Sequence, residues 1–139
     1  MFVETKIQTG HFFPLTADKL FCDLSPKSLD NLTFIKQKKR FQKRAFIYSA
    51  GEIPSGFYVL LRGRIQLQSN DLCAIHSIEP SAIFGLTETI AGVPYETTAE
   101  TLTPCVCEYI GREDFISFLC GEPKFSFQLL RQLALDLQI

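Results

Sequence analysis

The sequence predicts a mainly β fold with flanking helices, and three observations carry that expectation. Three glycines, Gly51, Gly56 and Gly63, punctuate short apolar runs between positions 47 and 67, a strand-and-turn pattern. More short β-prone runs follow as far as Ile110, separated by Asn70-Asp71, Gly92-Val93-Pro94 and Thr103-Pro104. Helical spacing is confined to the flanks and one short insert.

Taken in order, residues 1–18 show no periodicity and are expected to be an extended arm. Residues 20–24 suggest a short helical turn. Ser25-Pro26 then starts a helix, with Ser25 as N-cap, Pro26 at the first helical position, and Leu29, Leu32 and Phe34 as its inner face. Lys36, Lys38, Lys39, Arg40, Lys43 and Arg44 follow in nine residues. Such a run can contact phosphate. With a net charge of only −1, an edge strand protected by charge is the better reading. Strands are expected near 46–49, 57–62, 65–69, 72–78 and 82–84. A one-turn helix at 86–91 separates them from strands at 97–102 and 105–110. Residues 112–119 read as a short helix with Phe115, Ile116 and Leu119 inward. From position 123 a final helix begins that is apolar on most sides, with Leu130, Leu133 and Leu137 at the spacing of a packing seam. Residues 19–122 are therefore expected to form the domain proper and 123–139 the start of a long helix, whose stop without a capping signal suggests a chain cut from a longer protein.

A chain of 139 residues can bury one core, and 46% hydrophobic against 21% charged residues is ordinary for a globular domain. No apolar run approaches the roughly 20 residues that cross a bilayer, and the start lacks a signal-peptide pattern. The expectation is a cytoplasmic protein without a membrane partner. The five cysteines, Cys22, Cys73, Cys105, Cys107 and Cys120, contain no C-x-x-C pair. Buried, unbridged thiols are expected, with Cys105 and Cys107 on one strand face. A metal site joining Cys73, Cys105 or Cys107 to His76 has no supporting spacing, and His11 and His76 read as ordinary residues. Two separated histidines, with no nucleophile–base pair and no paired carboxylates, offer no catalytic constellation. No enzyme activity and no cofactor are expected.

The glycine-punctuated block, Phe84-Gly85 through Thr98-Ala99, and the apolar final helix together resemble the cyclic-nucleotide-binding domain of Crp/Fnr-type regulators. The resemblance covers about residues 20–139. It implies a jelly-roll-like β-roll, or double-stranded β-helix, with short N-terminal helices, a short cassette helix and a long C-terminal helix. It also implies a phosphate-binding cassette of the form Phe-Gly-Glu, helix, Arg-Ser/Thr-Ala. Here Phe84 and Gly85 match, but Leu86 stands in the Glu place. Thr98 and Ala99 match, but Thr97 stands in the Arg place. Glu88, Glu96 and Glu100 add negative charge nearby. Losing the Arg–phosphate contact costs about 100-fold or more in affinity.

The resemblance thus implies a regulatory sensor with a degenerate cassette, whose effector, if any, is not cAMP or cGMP. Phe84, Gly85, Leu86, Thr87, Thr97, Thr98 and Ala99 are the candidate ligand residues; a collapsed, ligand-free turn is the alternative. Leu130, Leu133 and Leu137 are the candidate homodimer seam. The DNA-binding part of such regulators follows the long helix and is absent, so this chain alone is not expected to bind DNA. A stand-alone interaction domain is the second reading. The iron–sulfur sensors of the wider family need clustered N-terminal cysteines, where this chain has only Cys22. A haem would depend on His76 alone.

Overall fold

The computed structural model describes residues 15–69 and 75–136. Two short helices, α1 (Ala17–Leu20) and α2 (Pro26–Ile35), precede β1 (Lys36–Phe41), β2 (Phe46–Tyr48), β3 (Gly56–Arg62), β4 (Ile65–Ser69), β5 (Ile75–Ile78) and β6 (Ile83–Phe84). Helix α3 (Leu86–Ala91) leads to β7 (Thr97–Thr101) and β8 (Cys105–Gly111), then α4 (Arg112–Cys120) and α5 (Pro123–Asp136).

The strands form two antiparallel four-stranded sheets, ordered β1-β8-β3-β6 and β2-β7-β4-β5. Tyr58, Leu60 and Cys107 from the first meet Ile65, Leu67 and Ala99 from the second in one core. The other face of the first sheet is covered by helices. There Phe57, Val59 and Ile110 pack with Leu32, Phe115, Phe118, Phe125 and Leu129. Strand β3 is therefore buried on both faces, which is why its sequence runs apolar without alternation. This is the β-roll with flanking helices that the sequence led us to expect.

Local chemistry explains the element ends. The Ser25 side chain accepts from the Ser28 N–H at 3.1 Å, capping α2. Strand β1 pairs only with β8, so the lysine-rich segment is an edge strand. Thr101 is fully buried in the β2–β7 region; its hydroxyl donates to the Gln42 carbonyl at 2.6 Å and accepts from the Ala45 N–H at 2.8 Å. That pair of bonds holds the turn after β1.

Several expectations need correction. Gly51 and Gly63 adopt positive φ, but Gly56 does not. Gly56 is required by crowding instead, because a Cβ there would sit on the Ile110 carbonyl and 2.7 Å from the Tyr109 ring. On α2 only Leu32 is buried among the three apolar residues expected inward; Leu29 and Phe34 are exposed. On α4 the inward residues are Phe115 and Phe118, and Ile116 faces outward. The end of the expected arm is part of the fold: the Leu15 carbonyl accepts from the Ile83 N–H at 2.7 Å and Thr16 bridges Ala82. Residues 1–14, including His11, lie outside the described residues, as do Asn70, Asp71, Cys73 and Leu137.

Candidate functional site

The candidate cassette spans β6, α3 and the start of β7. Gly85 ends β6 in the left-handed conformation, φ 79°, and caps α3. A Cβ at Gly85 would lie 3.1 Å from the Tyr95 ring and 3.5 Å from the Tyr48 ring. Two aromatic rings thus close over the glycine. They stack on each other at 3.7 Å between centroids, nearly parallel at 12°. The Tyr95 hydroxyl donates to the Gly56 carbonyl at 2.5 Å, tying the cassette exit to β3.

Leu86 is buried against the helix-side core, where a carboxylate could not stand without a partner. Thr87 is exposed, and its hydroxyl donates to the Glu88 carboxylate at 2.9 Å. The same carboxylate accepts from the Glu96 N–H at 3.1 Å. Thr97 is half-buried, and its side chain lies near enough to the Tyr48 hydroxyl to offset part of the rise in that hydroxyl's pKa. The Thr98 hydroxyl accepts from the Ala50 N–H at 2.9 Å. Phe84 and Ala99 are buried in the core between the sheets. The fold therefore puts Phe84 and Ala99 in the core between the sheets and Leu86 in the helix-side core, and the Thr98 hydroxyl already serves the protein's own backbone.

Four residues that sequence reasoning missed organise this region. Tyr48 and Tyr95 fill it. Thr89 is buried and donates to the Gly85 carbonyl at 2.7 Å, tightening α3. Arg112, at the start of α4, donates from Nε to the Thr89 carbonyl at 2.7 Å and its guanidinium lies over Gly92. The signal for the aromatics was modest. All four tyrosines of the chain, Tyr48, Tyr58, Tyr95 and Tyr109, form one contact series with Phe41 and Phe84, but the six rings come from six separate segments.

The electrostatics follow from that packing. Burial pushes the Tyr58 hydroxyl up to about 12 and moves Tyr48 and Tyr95 higher still. The Glu88 charge adds to the shift of Tyr48. Glu100 is paired with Arg44 at 3.7 Å. Cys105 and Cys107 are buried side by side on the inner face of β8, and burial raises the Cys107 thiol to about 12. No group of three metal-ligating side chains exists among the described residues.

The candidate seam straddles two environments. Leu130 is exposed on α5, whereas Leu133 is half-buried against the chain's own helix-side core beside Phe125 and Leu129. Phe127 and Ala134 share the exposed side with Leu130.

A family model for the cyclic nucleotide-binding domain matches residues 38–120. An uncharacterised protein of Haemophilus influenzae is 26% identical over 116 residues, covering 81% of this chain and 89% of that protein. The sensor domain of the transcriptional regulator DNR from Pseudomonas aeruginosa superposes with a TM-score of 0.75 at 21% identity, covering 86% of this chain and 87% of that domain. The catabolite activator protein of Thermus thermophilus gives a TM-score of 0.74 at 18% identity, and the match covers 86% of this chain but only 58% of that protein. No helix among the described residues is long and apolar enough to cross a membrane. The family model spans more than half of the sequence, in the segment that builds the roll and its cassette, and the chain belongs to the cyclic nucleotide-binding domain family.

Proposed function

We propose that this chain is the sensor part of a Crp/Fnr-like transcriptional regulator whose cassette has lost the cyclic-nucleotide contacts. The observation that carries the proposal is the Tyr48–Tyr95 stack over Gly85, with a buried Leu86 and an uncharged Thr97 in place of a carboxylate and a guanidinium. An effector of this cassette is neutral or weakly polar, since it meets aromatic faces, threonine hydroxyls and the Glu88 carboxylate. The likeness to the DNR sensor domain and to an N-terminal domain of a Streptomyces coelicolor transcriptional regulator supports the regulatory reading.

The output surface is α5. Its inner side is anchored by Phe125, Leu129 and Leu133, and its outer side offers Phe127 and Leu130 to the same helix of a second subunit. DNA recognition belongs to a separate part of the regulator. The Haemophilus protein favours a second reading, because the match covers 89% of its length: a stand-alone roll that acts through protein contacts.

Sedimentation velocity tests the output surface. The chain is expected to self-associate, and Leu130→Asp to shift it to monomer with its thermal midpoint unchanged. A wild-type chain that stays monomeric at high concentration would sink the helix-paired sensor.

A further inference from the structure

The first sheet carries a second surface unrelated to the cassette. Alternation along β1 places Lys36, Lys38 and Arg40 on its helix side. In register, Lys38 lies opposite Glu108 and Arg40 opposite Val106. From the other neighbour of β8, Arg62 lies opposite Val106 as well. Arg40 and Arg62 therefore flank Val106 in one row, with backbones about 10 Å apart across two strand spacings.

A register shift between Leu60 and Arg62 marks a bulge in β3. Its consequence is that two adjacent residues serve the same side. Leu61 lines a groove there, and Arg62 stands level with Val106. The groove has a volume of about 480 Å³ and lies between α1, α2 and β3, walled by Phe21, Leu29, Leu32, Val59 and Leu61. Leu29 and Leu61 are 41% and 39% exposed. Such apolar exposure beside cations is a feature of interaction surfaces.

The charges here are unequal. Glu108 is neutralised by Lys36 at 3.3 Å, and Asp18 lies on the α1 wall of the groove. Lys38, Arg40 and Arg62 are exposed and make no ion pair among the described residues. They form a local cationic patch on a chain whose net charge is −1.

We propose that this face docks an acidic peptide segment of a partner protein, with apolar side chains in the groove and carboxylates on Lys38, Arg40 and Arg62. Charge complementarity names the carboxylates, and the groove names the apolar anchors. A nucleic-acid backbone would use the cations and leave the groove empty. A flat bilayer would meet the cations without entering the concavity. In an extended peptide alternate side chains recur about every 6.7 Å, the same interval that separates Lys38 from Arg40 along β1.

Fluorescence anisotropy of a labelled peptide of alternating glutamate and leucine, titrated with the full chain, tests the proposal. Binding is expected, weakened by salt, and lost when glutamine replaces glutamate or alanine replaces leucine in the peptide. Arg40→Glu and Arg62→Glu are each expected to weaken it about 10-fold. Arg40→Gln and Arg62→Gln should do so less, and all four variants should keep the wild-type thermal midpoint. Absence of binding would overturn the proposal. So would equal affinity for the glutamine peptide, indifference to the arginine variants, or tighter binding to vesicles of anionic lipid or to duplex DNA.

Discussion

Tyr48, Tyr58 and Tyr95 give the cassette region its character, and their protons report on it. Each is held above the ordinary tyrosine value of 10.0 chiefly by burial. In the unfolded chain these hydroxyls ionise near that ordinary value. Above it the unfolded state binds fewer protons than the folded state, so stability falls as pH rises. The contribution is complete below about pH 10 and is lost through the value near 12 for Tyr58 and beyond. Tyrosinate absorbance is therefore expected to appear for these three residues together with loss of structure by circular dichroism. Smooth ionisation of all tyrosines at the ordinary value, with the fold intact, would show an open site. Gly56→Ala must displace the Ile110 carbonyl or the Tyr109 ring, and a loss of about 2–4 kcal/mol is expected in urea unfolding. A variant as stable as the wild type would show that β3 and β8 can separate at this point.

Among the elements, α5 shows how much a sequence reveals and where it stops. Its existence, its start near position 123 and its excess of apolar residues were legible. The partition of those residues was not. Leu130 and Leu133 stand at seam spacing, yet the phase of the helix is set by Phe125 and Leu129 inserting beside Phe115 and Phe118, contacts that depend on where α4 ends. Leu133→Asp is accordingly expected to cost about 2 kcal/mol of stability in the folded chain. Leu130→Asp is expected to act on association alone; equal thermal losses for the two would contradict this division of faces. The same limit applies to α2 and α4, where Phe34 and Ile116 fit a helical period but face outward. The strands were read more closely, because glycines and prolines mark their ends and β3 is apolar on both faces. Helix α3 is tied to α4 by Arg112, whose long-range bond to the Thr89 carbonyl no local pattern announces. Arg112→Ala is expected to loosen α3, seen as faster amide exchange at Thr89 and Gly92 with the rest of the roll unchanged. Exchange that does not change would mean the helix is held by Leu86 and Thr89 without it.

On the scale of the whole molecule, two antiparallel sheets enclose an aromatic core, and helices cover one of them. The cassette sits where the sheets, α3 and the tyrosines meet. In the sequence the missing charges were visible at Leu86 and Thr97. What filled their place was not, because Tyr48 and Tyr95 are far apart along the chain and meet only when β2 pairs with β7. That closure supports the proposal that the family's fold is kept while cyclic-nucleotide recognition is lost. It is tested most directly by calorimetric titration of the chain with cAMP and, separately, with cGMP. The expected result is no heat of binding with either nucleotide at concentrations well above micromolar. Saturable micromolar binding of either one, abolished by Gly85→Ala, would contradict it and return the cassette to nucleotide recognition.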